Sequence, residues 1–163
     1  MEDQFLYKAW ANQEILDEVE KIDLKEYPEK WTMAVRLLNH THVVDNIFIA
    51  HINSRPHSYK STNTPETPSI DRLRSSVSKT DLWLVEYSKK ISKPELAKTV
   101  KFTFTDGDMG EMTIENVLNH LVIHGAYHRG NVGMLLSDCG IQRPSDIFTR
   151  YLNNYAQPVL PKT

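Results

Sequence analysis

The stretch 113–140, "TIENVLNHLVIHGAYHRGNVGMLLSDCG", carries His120, His124 and His128 at a strict spacing of four. Val117, Leu121 and Leu135 share their stripe, and apolar residues at that period predict a helix. Thr113 is suited to cap its start, with Met112 packing across the first turn onto Val117. Gly140 and Pro144, just past Cys139, predict its end. Each helical residue advances about 100° and rises about 1.5 Å, so the three histidines drift about 40° per step and span about 12 Å. Metal–nitrogen bonds are only about 2.1 Å long, so one ion cannot reach both His120 and His128. An adjacent pair can meet it, because side chains at i and i+4 lie on one face. The triplet must therefore divide, as 120/124 or as 124/128. Unpaired imidazoles in an apolar stripe cost free energy and repel when charged, and metal ligation turns that liability into bonding.

Two ligands are an incomplete site. A second helix, expected over about 31–53, contains "LLNHTHVVDNIFIAHI" at 37–52. With His40 taken as zero, Leu37, Val44, Ile47 and His51 all fall within about 60° of it. His40 and His51 both face the bundle, about 16 Å apart along the axis, and angle alone does not choose between them. His42 lies at about 200° and reads as a surface residue. Asp45, five residues after His40, reads as a solvated helix acid, with support of the site from behind its ligands as the alternative. His57, in a polar loop, reads as solvated.

Two more helices complete the set. One, about 3–20, carries Leu6, Trp10 and Ile15; the other, about 69–92, repeats Ile70, Leu73, Val77, Leu84 and Ile91 as a bundle seam. Between the second and third helices, "NSRPHSYKSTNTPETPS" at 53–69 is a long polar loop, of the length that is usually functional or disordered. Before the last helix, "TVKFTFTDGDMGEMT" at 99–113 alternates apolar Val100, Phe102 and Phe104 with polar neighbours and turns at Asp106-Gly107, which predicts an extended segment or short hairpin. The pattern predicts an all-α chain, an up-and-down four-helix bundle.

The 163 residues are expected to form one domain, 1–163. A formal charge of −2 leaves no electrostatic footprint for nucleic acid. One cysteine, Cys139, excludes an intramolecular disulfide. "MEDQFLYKAW" at 1–10 lacks the apolar run of a signal peptide, and no stretch approaches a membrane span. These features predict a cytoplasmic protein with neither nucleic-acid nor membrane partners.

"LLNHTHVVDNIFIAHI" and "VLNHLVIHGAYHRGNVGMLL" (117–136) resemble the two motif helices of the DinB/YfiT-like superfamily. "YKAWANQEIL" (7–16) and "QRPSDIFTRYL" (142–152) are similar to its opening and closing segments, and His-Gly-x-x-His-Arg-Gly at 124–130 is the most specific part. The resemblance implies an up-down-down-up bundle with one long crossover, in place of the simple up-and-down order. By motif position it implies a divalent ion held by His40, His124 and His128. Similar proteins include thiol-dependent transferases and isomerases that use small thiols such as bacillithiol or mycothiol, and dimers are common among them, so a homodimer is expected here.

Three neutral imidazoles leave a coordination position open, the arrangement of a catalytic ion. Zinc, nickel and iron all suit imidazole. A coordinated thiol is deprotonated, and thiolate is the nucleophile, so the expected reaction is attack of a small thiol on an electrophile. Tyr127 and Asn131 lie within about 20° of the His120 direction and are the candidate catalytic residues beside the ion. Arg129, on the opposite face, is expected to pair with an acid or with the C-terminal segment. The alternatives are a non-catalytic metal-binding stress protein, its site closed by His120 or His51, and a metal-dependent hydrolase, for which the last helix offers only Glu115 as base.

Overall fold

A computed structural model describes residues 1–156, so positions 157–163 of the expected 1–163 domain lie outside the described residues. Four long helices dominate: α1 (Glu2–Val19), α2 (Pro28–Ile52), α3 (Ile70–Lys90) and α5 (Ile114–Asp138). A short helix α4 (Lys93–Leu96) and a hairpin of β1 (Thr99–Thr103) and β2 (Met109–Thr113) join α3 to α5. The chain then runs through α6 (Phe148–Tyr151) into a π turn at Leu152–Ala156.

The element ends follow local chemistry. Helix α2 starts at Pro28, earlier than expected, because proline at the first helical turn has no amide hydrogen to strand. Thr113 caps α5 as expected, its hydroxyl accepting from the Asn116 amide at 3.2 Å. Gly140 follows the helix at φ +71°, where only glycine is free of strain. Helix α4 was not anticipated, although its capping box was legible: Ser92 and Glu95 satisfy each other's backbone amides. The turn of the hairpin falls at Gly107, φ +102°.

Side-chain pairs fix the helix directions. Lys8 of α1 meets Asp45 near the end of α2, and Asp81 in the middle of α3. Arg74, early in α3, bonds Asp17, late in α1, and Glu20, just past its end. Both α2 and α3 thus run antiparallel to α1 and parallel to each other, which the loop 53–69 makes possible as a crossover. Helix α5 runs against α2, with His40 beside His124 and Lys30 paired with Asp138. The order is up-down-down-up, and the bundle is all-α apart from the hairpin.

The core has two apolar halves. One gathers Leu16, Val19, Val35, Leu38, Leu73 and Leu136; the other gathers Phe5, Phe48, Leu84, Val117, Leu118 and Leu121. Buried polar residues also lie inside the bundle: Lys8, Asn12, Asp45, Asp81 and Arg129. Lys8, only 1% exposed, donates to Asp45 at 2.7 Å and Asp81 at 2.9 Å. Asp45 is therefore not a solvated helix acid. Its partner comes from a helix 37 residues away in the chain, which no local pattern reveals.

Candidate metal centre

Helices α2 and α5 pack side by side and bring together His40, His124 and His128. One imidazole nitrogen of each lies within 4.8 Å of the others. The Nε2 atom of His124 is central, 3.1 Å from Nε2 of His40 and 3.1 Å from Nε2 of His128. Three nitrogens around a tetrahedral ion with bonds of about 2.1 Å stand about 3.4 Å apart, so little movement separates this arrangement from a ligand set.

His40 is oriented from outside. Its Nδ1 donates to the Thr62 carbonyl at 2.8 Å, which leaves the Nε2 lone pair aimed at the cluster. Thr62 belongs to the loop 53–69, and the loop is itself clamped. Asn39 donates to the side chains of Asn63 and Thr64, Asn63 donates to the Arg36 carbonyl at 3.0 Å, and Arg36 donates to the Thr64 carbonyl at 3.3 Å. The loop thus serves the site, a role its composition alone did not specify.

Burial holds the His124 imidazole down to about 3, helped by His128, His40, His120 and Lys8. Burial, then His40, also lowers His128. With His40 offering a lone pair and His124 neutral, the three Nε2 atoms have too few protons to satisfy one another, and a cation is the fitting partner. The Nδ1 atoms of His124 and His128 are buried without a hydrogen-bond partner among the described residues. Only His40 has its tautomer set by a second contact.

The remaining candidates fall outside the cluster. His120 is exposed at its side, its ring stacked on His124 with centroids 5.1 Å apart. The stripe thus reaches the surface at His120, while His124 and His128 are half-buried. His51 packs on Phe102 and His57 instead. His57 is half-buried, with a buried Nδ1, and not simply solvated. His42 does point away from the cluster but is not a surface residue. It lies half-buried toward Lys8, bonded to Asn46, and burial followed by the Lys8 charge pulls it down to about 4. Tyr127 is 66% exposed and packs edge-on against His128 at 5.0 Å. Asn131 is half-buried and makes no side-chain hydrogen bond among the described residues. Arg129 pairs as expected, with Asp146 of the C-terminal segment at 2.9 Å, and also donates to Asn12.

The glycines of α5 answer to side chains rather than to a neighbouring backbone. A Cβ on Gly125 would stand 3.1 Å from the Arg129 guanidinium and 3.5 Å from Lys8, and one on Gly133 would crowd Arg143. Nothing in the structure accounts for Gly130.

Residues 1–158 match the family model described as the DinB family. The chain belongs to the DinB family. It is similar to "Protein DinB" of Bacillus subtilis (strain 168), 21% identical over 159 residues, with 90% of each chain covered. No solved structure is significantly similar to it. Membership and the histidine cluster together support a metal-associated protein of this family. Among the described residues no helix is long and apolar enough to cross a membrane.

The depressed histidines give the metal-free protein a pH signature. Unfolded, His124 and His42 take up protons near 6.5; folded, they wait until about 3 and 4. Below pH 6.5 the unfolded chain binds more protons, so stability present at neutral pH is lost as pH falls toward those values. Asp45, raised to about 6 by burial against the opposing pull of Lys8, acts in the opposite sense between about 4 and 6 but over a smaller shift. Thermal melts of the metal-free protein should therefore move to lower temperature between pH 7 and 4. A flat or rising profile would show that these imidazoles are solvated.

Proposed function

We propose that this DinB-family chain binds one divalent ion, zinc, nickel or iron, through His40, His124 and His128 and transfers a small thiol to an electrophile. The carrying observation is that the three nitrogens form a group that no fourth His, Cys, Asp or Glu completes among the described residues. His120 and His51, the residues able to close it, stand outside that group. An ion held by three imidazoles keeps a position for an exchangeable ligand and would hold a thiol's sulfur as thiolate near neutral pH.

The chemistry then needs little more from the chain. The thiol's proton passes to solvent. The sulfur lone pair forms the new S–C bond while the C–O bond of an epoxide, or a C–halogen bond, breaks. The electron pair departs on oxygen, which takes a proton from water, or on halide. His40, held by Thr62, fixes the approach, and Tyr127 and Asn131, beside and one turn beyond His128, orient the bound molecules. No catalytic cysteine is required.

A hydrolase is less well supported. Glu29 and Glu115 are exposed; Glu29 lies 11 residues from His40, about 16 Å along α2. Asp45 is committed to Lys8. A non-catalytic stress protein would share the ion without turnover. The expected homodimer has support in the exposed Ile123, Tyr127 and Met134 along the outer face of α5, and a cytoplasmic location remains part of the reading.

Metal-loaded protein incubated with a bacillithiol-type or simpler thiol and an epoxide or halide should consume thiol well above the uncatalysed rate, and light scattering of the same sample should give the dimer mass. A loaded protein that leaves a panel of such pairs untouched is the metal-binding protein without catalysis. A monomer mass rejects the dimer.

A further inference from the structure

The histidine cluster lies in the wall between two cavities, both with mostly apolar open lining, of which only one includes charged residues. One, about 340 Å³, is lined by His40 and His124 on one side and by Ile47, Phe48, Phe102 and Phe104 around the rest. The other, about 710 Å³ and wider open, shares His40 with the first and reaches His128, Glu29, Arg36 and Asn63.

The smaller cavity contains no Asp, Glu, Lys or Arg, and almost all of its open lining is apolar. Its walls are aromatic. The Phe48 and Phe102 rings meet edge to face at 5.2 Å, Phe102 and Phe104 do so at 4.9 Å, and His120 sits edge-on to Phe48 at 5.4 Å. The hairpin is shaped to place these rings. Gly110 pairs with Phe102 across the strands, and a Cβ there would stand 2.5 Å from the Phe102 ring and 2.9 Å from that of Phe104. A charged ligand would lose its hydration here with nothing to replace it. A flat apolar ring finds edges and faces at the spacing aromatic groups prefer. An apolar cavity of about 150 Å³ is known to hold benzene, so this volume suits a substituted ring or a fused pair.

We infer that this chamber is the electrophile site and takes a neutral aromatic molecule, whose reacting carbon faces His40 and His124. The polar thiol enters from the larger cavity, where Arg36, among the described residues, makes its hydrogen bonds to Thr64 and Thr67 and to no carboxylate. Opposed entry lets sulfur and carbon approach from two sides of the cluster. The inference rests on the transferase reading for its chemistry but not for the binding itself.

The test uses full-length protein and 1,3-dinitrobenzene, an unreactive neutral arene, titrated by calorimetry with and without bound metal. Binding is expected in both states. Phe104→Ala, at a ring already 41% exposed and so of little risk to the fold, should weaken it by about fivefold to tenfold while leaving the metal content unchanged. Gly110→Ala, which drives the two rings off their seats, should weaken it further. No binding to wild type, or equal binding by Phe104→Ala and Gly110→Ala, overturns the assignment. Arene binding by a protein that takes up no metal would sink the transferase and leave the chamber standing. Thiol transfer to iodoacetamide without arene binding would do the reverse.

Discussion

His124→Ala should lower the bound metal from about one divalent ion per chain to near zero and abolish thiol consumption with it. All three rings touch, but His124 is the member whose Nε2 lies at hydrogen-bond distance from both others, 3.1 Å from each. Its removal leaves two imidazoles on different helices with no nitrogen between them, and two ligands do not make a competent zinc-type site. The fold should survive. The His124 ring is half-buried, its Nδ1 has no hydrogen bond to lose, and its Nε2 touches only the two other imidazoles of the cluster. His51→Ala, eleven residues beyond His40 on the same face of α2, is the control and should retain the ion. Elemental analysis of protein made without a histidine-rich tag reads the result. Metal retained at the wild-type ratio in His124→Ala would place the ion elsewhere.

Lys8→Met should strongly destabilise the bundle. Burial works against the Lys8 ammonium, but Asp45 and Asp81 on either side raise it overall, so it stays charged, the one cation that bridges both among the described residues. Removing it leaves two carboxylates buried and facing each other, a loss of about 3–5 kcal/mol and on the order of 10 °C in Tm. Asp45 already shows the strain of sharing, with one oxygen buried and unpartnered. The triple variant Lys8→Met with Asp45→Asn and Asp81→Asn removes the charges together and should recover much of the loss. Denaturant midpoints of the three proteins decide it. A Lys8→Met midpoint equal to wild type would mean that the layer is hydrated and the ion pairs contribute little.

The two predictions concern neighbouring parts of one design, and they were not equally legible. The four helices, the capped start of α5 and the hairpin at 99–113 follow from periodicity and turn residues, because those signals are local. Division of the histidine triplet also followed from helix geometry, but the choice of His128 over His120, and of His40 over His51, did not. That choice depends on how far α2 slides along α5, which no periodicity encodes; the motif resemblance supplied it. Angle placed His42 correctly on the far side of α2, yet the far side is not solvent. A bundle helix has neighbours on two sides, and His42 and Asp45 meet Lys8 there. The loop 53–69 hid its role because its contact with the site is the backbone carbonyl of Thr62, which has no side-chain signature. Gly110 carries no local signal in the sequence, and the crossing rings of Phe102 and Phe104 give it a reason.

X-ray absorption at the metal edge, on protein loaded with zinc or nickel, tests the open three-histidine site most directly. The expected spectrum has three imidazole nitrogens at about 2.0–2.1 Å and one or two light, exchangeable ligands. Addition of a small thiol should replace one of those with sulfur at about 2.3 Å. Four imidazoles and no sulfur after thiol addition would contradict it, as would a chain that takes up no ion at all.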